Sequence, residues 1–313
     1  MDHSAPTRSA TIQAFLLYTF AVFSYAVVDA ATKLLRLDYG FGTWQILLLT
    51  RLPPLLVALA LTAQATGSPF RLKTAFPKWH LLRGVLVAIT SFAFFDGLKY
   101  LPLADCIVLA FAAPVFVTAL SGPLLGERVG WRRWSAVGVG FIGVIVAVKP
   151  GAPIGYGTWL ILISAAAYAL TLLTLRRISG KEGTHNILFY STAFTLVISF
   201  VPGIREWQPV GWHAAGIMLL QGLASACGQL SMTRALRLGE ASMLVPIEFT
   251  ALVWAVLFGY MFWNDIPVIE VLAGAALIIA ANIYISHREA RLAKSRGIAP
   301  SPRVVPEHPG LPD

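Results

Sequence analysis

The chain has 313 residues, of which 57% are hydrophobic and only 12% are charged, and its mean hydropathy is +0.71. Because soluble domains carry about 25% charged residues, this composition excludes an ordinary soluble globular protein and indicates a polytopic membrane protein. The formal net charge of +9 is not accompanied by a basic patch studded with aromatic residues, so we expect lipid rather than nucleic acid as its partner.

Ten apolar runs follow one another along the chain, each close to the length of about 20 residues that crosses a bilayer core. Each run is predicted to be a helix, because lipid offers no hydrogen-bond partner to a free backbone N–H or C=O. The short connections predict an antiparallel, all-α bundle. The runs lie at 12–35, 43–65, 79–100, 103–125, 130–148, 154–176, 186–204, 211–236, 240–262 and 266–286.

The two ends of the chain are polar. Residues 1–11 are predicted to form a short N-terminus, and the first run is predicted to be a span rather than a cleaved leader, since it is too long for a signal-peptide core. Residues 287–313 begin basic and end rich in proline, so they are predicted to be a disordered tail.

Most Lys and Arg residues outside the spans fall on one side of the predicted bundle. If the N-terminus is cytoplasmic, the cytoplasmic segments hold the great majority, with Arg83 among them, and the opposite ends hold few. This bias predicts that both termini are cytoplasmic and that the protein lies in the inner membrane.

The ten spans divide into two halves of five, predicted as domains at 12–149 and 150–286. A shift of 137 residues places LADCIVLAFAAPVFVTALSGPLLGERVGWRRW over EASMLVPIEFTALVWAVLFGYMFWNDIPVIEV without a gap. Because five is odd, the second half must be inverted relative to the first. Inverted repeats recur in transporters, which hold their substrate near the midplane between the halves. The predicted fold is therefore two inverted five-helix repeats around a central cavity.

Glu248 interrupts the apolar stretch LVPIEFTALVW, about eight residues or roughly 12 Å from the cytoplasmic end of its span. A carboxylate at that depth costs at least a few kcal/mol if it faces lipid. We therefore expect it to face a cavity, to pair with a cation or to be protonated. Pro246 removes a backbone donor nearby and predicts a kink. The alternative is a structural carboxyl group that is hydrogen-bonded within the bundle.

Two further charges lie in the first two spans. Asp29 precedes Lys33 by one turn, and such an i, i+4 pair neutralises itself, which competes with substrate contact. Arg51 lies eight residues into the second span, just before Pro53-Pro54, and needs a partner at that depth. Both charges belong to the outer half, so an Asp29–Arg51 pair is predicted as an outer gate. A static clamp between helices is the alternative.

Several uncharged mid-span residues are candidates for the path of an amphipathic substrate. Tyr168, Trp254, Gln221 and Gln229 are polar or aromatic groups in otherwise apolar runs. Packing inside the bundle is the competing explanation for each. Asp96, at the end of the third span, is instead expected to belong to the rim.

Motifs for other kinds of chemistry are absent from the sequence. GVGFIG at 138–143 matches GxGxxG, but it lies inside an apolar helix, where close helix packing explains the glycines better than a nucleotide. The histidines are scattered, and the two cysteines are expected to be buried small hydrophobes. We therefore expect no cofactor, no metal and no enzyme activity. A membrane-embedded transferase is the alternative from another class, and a channel would usually show a ring of like charges.

The chain resembles the drug/metabolite transporter superfamily, EamA type, over residues 12–288. The resemblance lies in the two five-span repeats and in the repeat ending APVFVTALSGPLLGERVGWRRWSAVGVGFIGVIV. DAATKLL, WQILLLTRLPP and PIEFTALVWAVLFGYMFWND are similar to the subgroup that includes S-adenosylmethionine and riboflavin transporters. The second repeat departs from the family's Gly-Glu ending, with Asn264-Asp265 where the first has Gly126-Glu127. The resemblance implies ten helices around a cavity that opens alternately to each side.

Residues and resemblance together predict a secondary-active transporter of a small organic metabolite, an amino acid or a similar amphipathic solute. An S-adenosylmethionine or riboflavin/vitamin transporter of the same fold is the alternative. The candidate binding or gating residues are Glu248, Asp29, Arg51, Tyr168, Trp254 and Gln229. The sequence leaves open the cargo, export or uptake, the coupling ion and the oligomeric state, with a monomer among the options.

Overall fold

The computed structural model describes residues 8–69, 72–125, 131–148, 154–178, 182–238 and 241–295. These ranges contain thirteen α-helices joined by short loops. In chain order the helices are α1 (Arg8–Leu37), α2 (Thr43–Thr50), α3 (Leu52–Thr66), α4 (Pro77–Gly97), α5 (Leu103–Ala110), α6 (Ala113–Leu125), α7 (Trp131–Ala147), α8 (Tyr156–Ile178), α9 (Thr184–Arg205), α10 (Trp212–Leu238), α11 (Ala241–Glu248), α12 (Thr250–Trp263) and α13 (Ile269–Ser295).

Ten spans result, because three pairs of short helices each form one interrupted span: α2 with α3, α5 with α6, and α11 with α12. Eight spans are long and apolar enough to cross a membrane, and Trp134–Ala147 and Ile269–Ile285 are shorter apolar helices. The prediction of a ten-helix polytopic membrane protein is confirmed. Every predicted run corresponds to one helix or one interrupted pair.

The C-terminal part of the chain differs from its prediction. Helix α13 continues to Ser295, so residues 287–295 of the predicted disordered tail are helical. The segment HREARLAKS explains this, because Arg, Glu, Ala, Leu and Lys are strong helix formers and it holds no proline. The predicted tail beyond 295 and residues 1–7 lie outside the described residues.

Proline accounts for two of the three interruptions. Pro53 and Pro54 open α3 and Pro114 opens α6, and each removes a backbone donor that a continuous helix would need. Arg51 joins α2 to α3, and Phe111 with Ala112 joins α5 to α6. The third interruption is at Phe249, beside Glu248 and shortly after the proline inside α11.

The main contacts between helices are symmetric: each main contact made by a span of one half has an equivalent made by the corresponding span of the other half. The first span packs along the eighth (α1 on α10) as the sixth packs along the third (α8 on α4). The second and seventh spans (α2 and α9) pack together, as do the fifth and tenth (α7 and α13), and each pair maps onto itself. We call the end of the bundle where α1 begins the near side and the end where α1 finishes the far side. Since each half has five spans, α8 enters from the far side, opposite to α1.

The interruptions of the fourth and ninth spans lie at equivalent positions in the two repeats. The shift of 137 residues that aligns the repeats places Phe111 over Glu248 and Ala112 over Phe249. The rings of Phe111 and Phe249 meet edge to face, with centroids 5.3 Å apart. Equivalent breaks in the two halves therefore meet in the middle of the bundle, where continuous backbone hydrogen bonding ends.

Buried ion pairs hold the far side together. The Lys33 ammonium at the far end of α1 donates to Asp265 Oδ2 at 2.9 Å and to the Leu101 carbonyl at 3.1 Å. Arg36, one turn later, donates to Asp96 Oδ1 and to a loop carbonyl, and Thr43 Oγ1 donates to the same carboxylate at 2.9 Å. The far end of α1 is thus bonded to the loops of both halves. Asp96 belongs to this buried network rather than to a solvated rim.

The near side is joined around one carboxylate. Glu182, before α9, accepts hydrogen bonds from Thr74 at 2.9 Å and from Asn186 at 2.8 Å. His80 of α4 lies 3.7 Å from the same carboxylate and is almost fully buried. These contacts attach the loop before α4 to the start of α9.

Close contacts of α7, with α13 at Gly143 and with α6 at Gly140, support the packing explanation for these glycines. A Cβ at Gly143 would lie 3.0 Å from the carbonyl oxygen of Gly274, and a Cβ at Gly140 would lie 2.5 Å from a methyl group of Val115. Gly138 faces open space instead. Small residues at two of the three positions therefore allow neighbouring spans to approach closely.

Replacing Gly274 with alanine is expected to destabilise the bundle. The new Cβ would lie 2.6 Å from both Ala147 Cβ and the Gly143 carbonyl oxygen, so the backbones of α7 and α13 must separate, at a cost of about 1–3 kcal/mol. Gly138→Ala is the matched control, since its Cβ has free space and alanine favours a helix. Thermal unfolding in detergent compares the two variants, and equal melting temperatures would contradict the close contact.

Candidate functional site

A cavity of about 440 Å³ lies between the two halves. It is lined by α1, the end of α2 with Arg51, both parts of the fourth and ninth spans where they meet, and α4, α8 and α10. This volume falls within the range of about 300–1,000 Å³ that is common for small-molecule sites. Most of the lining is apolar or aromatic. Its charged, tyrosine and glutamine side chains are Tyr18, Tyr25, Asp29, Arg51, Arg83, Tyr168, Gln221 and Glu248.

One face of α1 contributes a polar stripe to the cavity. Tyr18, Tyr25 and Asp29 are spaced i, i+7 and i+11, which places them on the same side of a helix. The Asp29 carboxylate has no hydrogen-bond or ion-pair partner among the described residues. Of the two alternatives for Asp29, the self-neutralising pair with Lys33 is wrong, because Lys33 points to the far-side loops and binds Asp265 instead.

Arg51 enters the cavity from the interruption between α2 and α3. Its Nη2 donates to Ser91 Oγ at 2.7 Å, and its buried Nε has no hydrogen-bond partner among the described residues. The predicted Asp29–Arg51 ion pair is likewise not present there. Both side chains face the cavity, but each remains available to a third group.

Glu248 ends α11 and faces the cavity next to the interruption at Phe249. The hydroxyls of Tyr18 and Tyr168 are within electrostatic range of its carboxylate. Within the described part of the chain, Glu248 has neither a hydrogen-bond donor nor a cation as partner. Of the alternatives predicted for it, the structure favours a carboxyl group that faces a cavity over one satisfied within the bundle.

Arg83 is the charged cavity residue that sequence patterns missed. The charge bias places it among the cytoplasmic residues that set topology, but it lies within α4 and lines the cavity. Its Nη1 donates to the Ile187 carbonyl at 3.2 Å, and its Nε is buried without a partner among the described residues. The available signal was its depth, since it is six residues, or about 9 Å, beyond the start of its helix at Pro77.

The charged residues form two sets along the axis of the bundle. The far set is Asp29, Arg51 and Tyr25, whose hydroxyl is an electrostatic neighbour of both charges. The near set is Arg83, Glu248 and Tyr168, whose hydroxyl is a neighbour of both charges and also of Tyr25, so the two sets are contiguous. Tyr18, next to Glu248, and Asp29 are eleven residues apart on α1, which is about 16 Å. Each set combines one carboxylate, one guanidinium and one phenol.

Two predicted site residues lie elsewhere. Trp254 does not line this cavity; its ring packs against Phe23 at a centroid distance of 4.9 Å, so packing between α1 and α12 explains it. Gln229 is also outside the lining, and its backbone carbonyl accepts a hydrogen bond from Thr233. Gln221 does line the cavity and donates to Thr32 Oγ1 at 2.8 Å.

Among the described residues no group of three or more His, Cys, Asp or Glu side chains is placed to hold a metal ion.

Comparison with a family model decides the kind of protein. The model of the EamA-like transporter family matches the sequence twice, over residues 12–149 and 155–286. The chain belongs to the EamA-like transporter family. The two matched ranges correspond to the two five-span halves of the structure, and the resemblance stated from the sequence is confirmed.

Relatives of this EamA-like transporter are themselves named as transporters. A pseudopaline exporter of Pseudomonas aeruginosa is 29% identical over 285 residues, which are 86% of this chain and 92% of the relative. An S-adenosylmethionine uptake transporter of Rickettsia prowazekii is 28% identical over 226 residues, covering 72% and 77%. A riboflavin transporter of Rhizobium johnstonii is 30% identical over 240 residues, covering 76% and 77%.

A crystal structure matches the fold with a TM-score of 0.58 at 20% identity, over 91% of this chain and 98% of the other. This likeness shows the fold alone. Family and relatives together establish a multi-pass membrane transporter of small molecules and not an enzyme.

Proposed function

We propose that this protein is a secondary-active transporter that moves a small amphipathic metabolite of the amino-acid type across the inner membrane by alternating access. The observation that carries the proposal is the pair of charged sets that face the cavity between the inverted halves. Asp29 and Glu248 have no partner in the part of the chain that the structure describes, although both lie within membrane-spanning segments.

The cost of these charges favours a charged cargo. An ionised group in a low-dielectric interior is strongly unfavourable unless it is paired or solvated. A cargo with an ammonium and a carboxylate group would pair with an acid and a base of the same set. The apolar remainder of the lining suits the hydrocarbon part of an amphipathic solute.

The inverted repeat favours alternating access. Interrupted helices that meet at the midplane between such repeats recur in transporters, where rocking of one half against the other exposes the site to each side in turn. In this proposal Glu248 is the polar anchor of the near half and a group that can take up a proton during the cycle. Asp29 and Arg51 serve the far half as separate binding groups.

Basic residues support the proposed orientation. The helix ends on the near side, together with the sequence segments that join or follow them, carry most of the Lys and Arg residues. Positive charge is retained on the cytoplasmic side of a membrane. The near side is therefore assigned to the cytoplasm, with both termini there.

The charged residues of the cavity also favour one of the cargoes that appear in the names of the relatives. Two carboxylates and two guanidinium groups suit S-adenosylmethionine, which bears ionised groups of both signs, better than riboflavin, which is uncharged near neutral pH. Aromatic lining residues such as Phe94 and Phe111 would serve a flavin ring, so a vitamin remains the second candidate.

A transport assay without a chosen cargo tests the proposal. Proteoliposomes containing the purified transporter are incubated with a small-metabolite extract, washed and analysed by mass spectrometry. We expect selected organic solutes to accumulate above the level in empty liposomes, and preloading with the same solute to accelerate entry by counterflow. Equal contents in loaded and empty liposomes would contradict transport through this cavity.

A further inference from the structure

Arg83 has a bonding pattern that a purely structural arginine would not need. Its guanidinium makes one hydrogen bond at 3.2 Å to the Ile187 carbonyl, while its Nε is buried without a partner among the described residues. A cation inside a membrane-spanning helix is costly unless its donors are satisfied. The contact with α9 leaves most of that requirement unmet, and the rest of the group lies at the cavity wall.

We infer that Arg83 binds the carboxylate of the cargo in the near half of the cavity, while Glu248 binds its cationic group. The inference rests on the proposed function and names the residue that recognises the anionic group. A guanidinium presents parallel N–H donors that match the two oxygens of a carboxylate. The Ile187 carbonyl holds one edge of the guanidinium and so fixes its direction.

Tyr168 supports a shared site for the two charges. Its hydroxyl is an electrostatic neighbour of both Arg83 and Glu248, although these residues come from different halves of the chain. A cargo between them would therefore contact both halves at once. Such contact is what couples occupation of the site to movement of one half against the other.

The near set is then a second binding position in the same cavity, and Tyr25 of the far set neighbours its tyrosines. The distance of about 16 Å between Tyr18 and Asp29 along α1 exceeds the spacing between the ammonium and carboxylate of a simple amino acid. Each half of the cavity thus offers the same two opposite charges to a solute that enters from its own side.

The test compares wild-type transporter with Arg83→Gln, Arg83→Lys and Arg177→Gln in the extract assay described above. Arg177 is the matched control, because it is an arginine on the same near side, lies over the Trp79 ring at 5.3 Å and does not line the cavity. We expect the solutes accumulated by the wild type to carry both a carboxylate and an amine. Their accumulation should fall about tenfold or more in Arg83→Gln and remain unchanged in Arg177→Gln.

Arg83→Lys keeps the charge but loses the paired donors, so it should retain an intermediate rate with a raised KM. Wild-type cargo without a carboxylate would overturn the inference and leave the proposed function intact, even if Arg83→Gln fails to fold. Equal accumulation by folded Arg83→Gln and Arg177→Gln would also overturn it. Absence of any accumulation by the wild type would instead contradict the proposed function itself.

Discussion

Replacing Glu248 with glutamine is expected to reduce transport at least tenfold while leaving the transporter folded. Glutamine has nearly the same shape but cannot bind a cationic group as an ion pair or change its charge with a proton. Because Glu248 has no hydrogen-bond or ion-pair partner among the described residues, its loss breaks no bond within the bundle. Removing an unpaired charge from an apolar region should keep the melting temperature constant or raise it.

The measurement is counterflow of an accumulated solute in proteoliposomes, at several external pH values, beside thermal unfolding in detergent. Glu270→Gln is the matched control, since this glutamate is exposed at the start of α13 and does not line the cavity. We expect Glu248→Gln to lose any pH dependence that the wild type and Glu270→Gln share. A folded Glu248→Gln variant with normal rate and pH profile would remove Glu248 from the transport cycle.

Replacing Asp96 with alanine is expected to cause the largest loss of stability on the far side. The side chains of Arg36 and Asp96 are only 10% and 13% exposed, and Asp96 also accepts a hydrogen bond from Thr43. Removing one partner of a buried ion pair costs about 3–5 kcal/mol, because the remaining charge is left without compensation. The melting temperature should fall by roughly 5–10 °C.

Two further variants separate the ion pair from a general effect of lost charge. Asp38→Ala removes an exposed carboxylate in the neighbouring loop and should leave the melting temperature nearly unchanged. The double variant Arg36→Met with Asp96→Leu should recover much of the lost stability, since replacing both ions by apolar groups avoids the unpaired charge. Equal melting temperatures for Asp96→Ala and Asp38→Ala would contradict the proposed role of the pair.

Sequence patterns predicted the spans well for a physical reason. Lipid requires a continuous apolar helix of nearly fixed length, so composition alone places the boundaries within a few residues. The same patterns showed prolines at 53, 54, 114 and 246 but not which of them would interrupt a span. The end of α13 was missed because a basic segment outside the membrane is helical through propensity, without an apolar pattern.

The site was predicted only in part. The sequence shows how deep a residue lies within its span, but it does not show which way the side chain points. Glu248, Asp29, Arg51 and Tyr168 line the cavity and Trp254 and Gln229 do not, while the binding and gating roles of these residues stay predictions. Ion pairs depended on which loops fold beside each helix end, information that helical spacing does not contain. Lys33 is one turn from Asp29, yet its ammonium reaches Asp265, which is 232 residues away in the chain.

The equivalent breaks at Phe111 and Glu248 have a kinetic consequence. The two halves share a backbone plan, but one presents a ring and the other a carboxylate at corresponding positions. The asymmetry cannot change the final concentration ratio of the solute, because the gradients that drive transport fix that ratio. The loaded and empty return steps of the carrier, however, need not be equally fast in the two directions. This difference between the halves permits rectification. Reversing a solute gradient of fixed size would then change the magnitude of the net flux as well as its direction.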